Sequence, residues 1–396
     1  MTGTSALLEA IQRAERAGEE SVLATVVKVE GSAYRRPGAR MLIPLYGGTV
    51  GTVSGGCLEA ELAKKAWWFT EAGVPRVRRY STGTDESDDE QERSLTFGLG
   101  CNGTVHVLLE RLVPASSSPV VELLQQVRRS QLPGALATVI SSYRNARVQV
   151  GDRLMLEPSW RFAGRLWHAE LEEAVRRDLA EVLSRQRSEL RVYSDVRGDI
   201  EVFLEYVAPQ VRLVVFGGGY DAQSLVRMAK MLDWHVTVVD GRTHFARPER
   251  FPEADAVICA TPGEALLSLD GAVVLVMSHS YSQDLRWLRQ TLQASPVYIG
   301  QLGPRDRTQR LLAEIDPQGA GLPGLDSLHY PMGLDLGGDT PESVALAALG
   351  EITAVLNRRE GGMLKHRRAA IHPIEAATVR TLDAPQAEKQ SLADQS

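Results

Sequence analysis

The apolar positions of this chain follow two rhythms. From residue 211 onward, near-continuous apolar runs at 211–216, 236–239, 256–260, 272–277 and 296–299 alternate with stretches whose apolar residues recur at helical spacing. Strands apolar on both faces and separated by helices predict a parallel sheet covered on both sides, a Rossmann-like, doubly wound α/β domain. Helices are expected after Gly219, Tyr281 and Arg305. A last helix is announced by Asp339-Thr340-Pro341-Glu342, a cap with proline in the first turn, and runs to about Arg358.

Before residue 210 the rhythm is that of short strands with few helices, an α+β pattern. Ser5 is placed to cap a helix carrying Leu7, Leu8 and Ile11 and ending near Gly18. Strands at 22–29 and 40–44 flank a basic turn at 32–38, and Gly47-Gly48 returns the chain into 50–53. Ser54-Gly55-Gly56-Cys57-Leu58-Glu59 opens a second helix, followed by a strand at 76–80. Residues 82–93 are acidic and nearly free of apolar side chains, which predicts a mobile loop. Phe97-Gly98-Leu99-Gly100-Cys101-Asn102-Gly103 then leads into a strand at 104–110, and Pro114 to Pro119 reads as a linker.

After the linker the chain repeats itself. Leu23-Ala24-Thr25-Val26 returns as Leu136-Ala137-Thr138-Val139, Arg40-Met41-Leu42 as Arg153-Leu154-Met155, and Arg79-Tyr80-Ser81 as Val192-Tyr193-Ser194. The helix after Cys57 is matched to the helix after His168 through a shared Ala-Glu-Leu at Ala60 and Ala169, and 105–114 match 200–209. The second copy has no counterpart of Ser54-Gly55-Gly56-Cys57, of the acidic loop, or of Gly100-Cys101-Asn102-Gly103. Packing would ask the same of both copies, so this asymmetry points to function. The expected domains are a first repeat at 1–114, a second, degenerate repeat at 119–209 packed on it, the Rossmann-like domain at 210–358, and a polar, flexible tail at 359–396.

Composition narrows the partners. The 396 residues carry a net charge of −6 and 43% hydrophobic residues, enough for real cores and the wrong sign for nucleic acid or an anionic membrane surface. No apolar run approaches the ~18 residues of a membrane span, and the N-terminus lacks a signal-like pattern, so a cytoplasmic protein is expected. Three cysteines are too few for a disulfide framework and fit a reducing compartment.

Candidate chemistry lies in both halves. Cys57 behind two glycines at a helix start would have a lowered thiol pKa and free amides for an anion such as a phosphate. Cys101 lies in a second glycine-rich turn. Paired thiols there would hold a metal, exchange sulfur, or approach a thiolate-liganded cofactor; structural zinc is disfavoured by the spacing. Cys259, inside an apolar run, is expected in the core. Arg35, Arg36 and Arg40 suit a bidentate anion or a solvated hairpin tip, and Glu59 suits a proton acceptor or a first-turn acid. In the second half, Gly217, Gly219 and Ala222 fit the dinucleotide fingerprint, and Asp240 stands where a ribose hydroxyl would be met. That reading alone implies an NAD(P)-dependent oxidoreductase. His279 at a strand's carboxyl end and the amides of 333–339 are further candidate contacts.

The motifs Arg35-Arg36-Pro37-Gly38-Ala39-Arg40, Ser54-Gly55-Gly56-Cys57-Leu58-Glu59 and Gly98-Leu99-Gly100-Cys101-Asn102-Gly103 resemble the XdhC/CoxI family of xanthine dehydrogenase accessory proteins. Gly217 to Tyr220, Val238 to Asp240, Tyr298-Ile299-Gly300 and Thr340-Pro341-Glu342 extend the resemblance through the second half. The chain departs from the family's usual histidines at Tyr220 and Tyr281, and from its Gly-Cys-Gly-Gly at Asn102. The resemblance implies a chaperone without turnover of its own. Such a protein binds the molybdenum cofactor (molybdopterin), protects it during sulfuration by a cysteine desulfurase, and delivers it to a molybdenum hydroxylase such as xanthine dehydrogenase. It makes Cys57 and Cys101 the characteristic cysteines, near the molybdenum of a bound cofactor, with no metal held by the protein alone. Arg35, Arg36, Arg40, Ser54, Gly55, Gly56 and Gly100 would hold the phosphate and pterin, and Gly217, Gly219 and Asp240 a nucleotide. A homodimer is expected. Two alternatives stand beside this one: the NAD(P)-dependent oxidoreductase, and a scaffold that docks desulfurase and target enzyme.

Overall fold

The structure, a computed structural model, describes residues 3–56, 58–81, 103–143, 146–264, 267–319, 321–369, 371 and 377–382. It divides into two compact units, Met1–Pro209 with His372–Ser396, and Gln210–Ile371.

The first unit contains the repeat. One copy comprises α1 (Thr4–Ala17), β1 (Ser21–Gly31), β2 (Arg40–Pro44), β3 (Val50–Gly51), α2 (Glu59–Phe69), β4 (Arg76–Ser81) and β5 (Gly103–Leu112). The other comprises α3 (Pro119–Ser130), β6 (Gly134–Ser141), β7 (Arg153–Leu156), β8 (Phe162–Gly164), α4 (Ala169–Arg185), β9 (Glu189–Asp195) and β10 (Gly198–Val207). Their antiparallel sheets run β3-β2-β1-β5-β4 and β8-β7-β6-β10-β9, the same order element for element. Register agrees as well: Leu23 faces Leu42 as Leu136 faces Met155. The first helix begins one residue after Gly3 and not at Ser5, which lies inside it. It ends where Gly18 turns left-handed at φ 68°, a conformation that costs glycine little.

Each sheet buries one face under its own helix. Leu62 and Ala66 of α2 pack with Tyr80 and Val107, and Val175 and Leu179 of α4 with Tyr193 and Val202. The other faces meet each other. Val27, Leu108, Ile140 and Phe203, equivalent residues taken two from each copy, form one buried cluster, and α1 and α3 share another through Leu8, Ile11, Val121 and Leu124. Two ion pairs cross this junction reciprocally. Arg40 donates to Glu205 (Nη1 to Oε1 2.8 Å) and Arg153 to Glu110 (Nη1 to Oε1 3.0 Å), with all four side chains at most 9% exposed. Since Arg40 corresponds to Arg153 and Glu110 to Glu205, the junction has the self-complementary form of a two-fold interface.

Part of 359–396, expected as a loose tail, is ordered. Thr378–Thr381 forms a further strand, numbered β17 below, that lies parallel to β9 at the edge of the second sheet. Arg380 of this strand reaches the buried Asp178 at 2.8 Å, and Leu382 enters the core. Residues 383–396 lie outside the described residues.

The second unit is the expected doubly wound sheet. Its elements are β11 (Arg212–Phe216), α5 (Tyr220–Met231), β12 (His235–Asp240), β13 (Ala256–Cys259), β14 (Val273–Val276), α6 (Tyr281–Leu292), β15 (Tyr298–Gln301), α7 (Arg305–Ile315), β16 (Leu328–His329) and α8 (Pro341–Leu356). All strands are parallel, in the order β13-β12-β11-β14-β15-β16. The order reverses between β11 and β14, the place where open sheets of this kind leave a crevice at their carboxyl ends. Cys259 overturns its core assignment: β13 is an edge strand, and this cysteine is exposed.

Candidate functional site

The basic turn and the glycine loop meet at one end of the first sheet. The ring of Tyr34 lies where a Cβ on Gly55 would touch it at 3.5 Å, which joins the basic turn to the glycine loop. Arg35 Nε donates to Thr52 Oγ1 (2.9 Å), and Thr52 Oγ1 donates to Ser54 O (2.9 Å). Ser32 O lies 2.0 Å from where a Cβ of Gly103 would be, so only glycine admits the start of β5 against the basic turn. Gly103 pairs with Gly31, and Thr104 with Ser81, so β4 ends and β5 begins at this same end.

Glu59 shapes the glycine loop. Its carboxylate accepts from Val53 N (3.1 Å), Ser54 N (2.8 Å) and Ser54 Oγ (2.6 Å), while the Ser54 hydroxyl oxygen accepts from Gly56 N and Leu58 N. Burial alone would raise the Glu59 pKa, but the Ser54 hydroxyl and the surrounding amides outweigh it and hold the carboxyl below its usual range. Of its two sequence-based readings, the first-turn acid fits, because every bond it makes tightens the loop. Cys57, Gly100 and Cys101 lie outside the described residues; their described neighbours Gly56, Leu58 and Gly103 stand at this end of the sheet.

Arg40 does not join these loops. Its guanidinium is committed to Glu205 and Gly38 O, so the anion-binding expectation is corrected for this arginine. Arg35 and the exposed Arg36 remain at the loop end.

At the corresponding end of the second copy the chain is knitted to itself. Glu172, equivalent to Glu59, still receives a loop amide, Leu166 N, at 2.9 Å. In place of Ser54, Gly55 and Gly56 stand Trp167, His168 and Ala169, and His168 Nδ1 caps α4 by accepting from Leu171 N. Tyr143 donates to Asp195, which also accepts from Arg197 N and Gly198 N.

The crevice of the second unit uses its fingerprint on itself. Gly217, at φ 124°, has the backbone of Met277 and Ser278 2.6 Å from where a Cβ would sit. Asp240 is fully buried and accepts from Gly218 N (2.8 Å), Arg242 N (2.9 Å) and both Arg242 Nε (2.9 Å) and Nη2 (2.8 Å). Burial opposes the charge, yet the Arg242 fork and these amides hold its pKa below the usual range. With both oxygens occupied from inside, Asp240 cannot take the expected ribose contact without giving up Arg242. His279, held at φ 57°, meets Asp221 (Nε2 to Oδ2 3.0 Å) and lies 3.6 Å from a Cβ on Gly219. In the 333–339 loop, Gly333 N is already donated to Glu351 at 2.7 Å.

Known proteins show the same parts in the same order. A model described as the XdhC and CoxI family matches twice, over residues 14–81 and 127–194, and one described as the XdhC Rossmann domain matches residues 213–352. Together they account for most of the chain. The chain belongs to the XdhC and CoxI family. It is 29% identical over 345 residues to a probable xanthine dehydrogenase subunit of Bacillus subtilis (strain 168), covering 86% of this chain and 94% of that one. It is 24% identical over 344 residues to the molybdenum cofactor insertion chaperone PaoD of Escherichia coli (strain K12), covering 87% and 86%. A crystal structure of a xanthine dehydrogenase from Bacillus halodurans superposes at a TM-score of 0.70 and 27% identity, covering 91% of this chain and 97% of that one.

For a member of this family, sequence reasoning left several parts of the site without a duty. Thr52 is an ordinary threonine in the sequence, and Tyr34 one aromatic in a basic turn. Arg242 and Arg250, which donates to Gly218 O at 3.2 Å and lies over Tyr220, carry no motif. No helix among the described residues is long and apolar enough to cross a membrane.

Proposed function

We propose that this XdhC-type accessory factor binds the molybdenum cofactor at the loop end of the first sheet, holds it while a cysteine desulfurase supplies sulfur, and passes it to a molybdenum hydroxylase. Cofactor handling rests on similarity to a protein named as a molybdenum cofactor insertion chaperone, and the hydroxylase on similarity to one named as part of a xanthine dehydrogenase. The observation that carries the location is the asymmetry between two otherwise matched copies. One end is a glycine loop braced by Glu59, Thr52 and Arg35; its counterpart is tied down by His168 and Asp195. Arg35 and Arg36 would meet the phosphate, and Cys57 and Cys101 the dithiolene or metal.

The test is quantitative pterin analysis of protein purified without oxygen. Bound molybdopterin should fall on Cys57→Ala or Cys101→Ala; unchanged binding in both variants removes the cysteines from the mechanism. The NAD(P)-dependent oxidoreductase finds no support in the crevice, where Asp240 is saturated by Arg242 and Gly218.

A further inference from the structure

The two copies differ at a second place, the outer edge of the strand after each copy's long helix. In the second copy β9 is covered by β17, with Val379 opposite Val192 and Arg380 opposite Tyr193. In the first copy the equivalent strand, β4, ends its sheet, and among the described residues no strand pairs with its outer edge. An edge of unpaired N–H and C=O groups is a template for an added strand.

The side chains beside that edge have changed sign. The spacing that relates Tyr80 to Tyr193 also relates Lys65 to Asp178, Trp68 to Glu181, Arg76 to Glu189 and Arg78 to Arg191. In the second copy the three acids surround Arg191, Tyr193 donates to Asp178 at 2.6 Å, and Arg380 of the added strand completes the cluster. In the first copy all three acids are gone, replaced by two cations and a tryptophan that is 68% exposed. One polar group is left over: the hydroxyl of Tyr80, a residue only 1% exposed, has no hydrogen-bond partner where Tyr193 has Asp178, whereas Nε of Arg78 lacks a partner just as Nε of Arg191 does. The Arg78 guanidinium stacks on Phe69 at 4.3 Å, and Lys65 leans out to Glu61. An orphaned buried hydroxyl costs ~1–3 kcal/mol, which a group accepting its hydrogen bond would recover.

We propose that the outer edge of β4 is a docking edge for an extended, acidic segment of a partner protein, which adds parallel to β4 as β17 adds to β9. Its carboxylate takes the place of Arg380, opposite Tyr80, and accepts from the Tyr80 hydroxyl, Arg78 and Lys65. Trp68 covers the strand's apolar side. The edge uses none of the residues assigned to the cofactor, so the docking variants and the cysteine variants can fail separately.

Two labelled synthetic peptides test it on the full chain, one carrying the Thr-Val-Arg-Thr of 378–381 and the other the same segment with Arg380→Glu. The acidic peptide should bind more than about tenfold tighter, a difference of ~1.4 kcal/mol, and slow amide exchange over residues 76–81. Tyr80→Phe should weaken binding of the acidic peptide. Lys65→Asp combined with Trp68→Glu and Arg76→Glu, which restores the second copy's three acids, should reverse the preference. Equal binding of both peptides, protection elsewhere than β4, or an unreversed preference in the folded variant overturns the proposal. So does protection of β4 that depends on protein concentration alone, since the occupant is then a second copy. So too does acidic-peptide binding that appears only after residues 84–92 are deleted, since the chain's own acidic segment then holds the edge.

Discussion

At the scale of single residues, the reciprocal ion pairs withdraw Arg40 from ligand binding. Removing one partner of a buried pair strands the other charge, which costs ~3–5 kcal/mol, against ~0–1 kcal/mol for an exposed pair. Arg40→Ala and Arg153→Ala are therefore expected to destabilise the first unit by similar amounts in urea unfolding. Arg40→Ala with Glu205→Ala should cost less than the two single losses added, because no orphan remains. A loss below about 1 kcal/mol for Arg40→Ala would return that arginine to the loop end as a ligand. Glu59 supplies a pH dependence. Its folded pKa is lowered from 4.5, so its contribution is complete above 4.5 and is lost as pH falls through the folded value. Glu59→Gln should flatten the acid limb of the unfolding profile below pH 4.5, and an unchanged limb would mean that Glu59 is not braced as described. None of this pairing is visible in the sequence around Arg40, since its partner lies in the other copy. Asp240 was legible as the acid ending β12, but not that Arg242, two residues on, folds back onto it.

At the scale of elements, periodic segments were legible and borrowed ones were not. The second unit's strands and helices announce themselves because each buries its own apolar residues. β17 shows no such pattern: Thr378, Val379 and Thr381 are exposed, and the strand exists because β9 offers an edge and Asp178 a charge. Ending the chain at residue 376 should therefore lower the melting temperature of the first unit. Leu382 alone, 8% exposed, is worth ~1.5–3 kcal/mol, and Asp178 would also lose Arg380. No shift would show β17 to be passive decoration. Helices misled in a different way. The shared Ala-Glu-Leu at Ala60 and Ala169 is one turn out of register, because Glu59 and Glu172 both reach back to a loop amide and must be equivalent. Residues four apart lie on one helix face, so the slipped match preserved the apolar pattern and looked sound. Cys259 was misplaced for want of sheet order, which alone reveals an edge strand.

At the scale of the whole molecule, two candidate sites occupy separate units, and each offers a variant that disturbs one without unfolding its host. Gly219 has an ordinary φ of −64°, and an added Cβ would meet only the His279 ring at 3.6 Å, so Gly219→Ala is sterically tolerated while filling the approach to the glycine turn. Arg35→Ala removes the bond that ties the basic turn to Thr52 but leaves the buried Arg40–Glu205 pair intact. If the first sheet's loop end carries the cofactor, bound pterin should survive Gly219→Ala and drop at least about tenfold with Arg35→Ala, a difference of ~1.4 kcal/mol. Titration with NADH should show no saturable binding that Gly219→Ala abolishes. The opposite pattern, pterin lost with Gly219→Ala and kept with Arg35→Ala, would move the cofactor into the crevice. The loss of the cysteine loops from the second copy would then reflect only its packing, with His168 capping α4 where the first copy has Gly55.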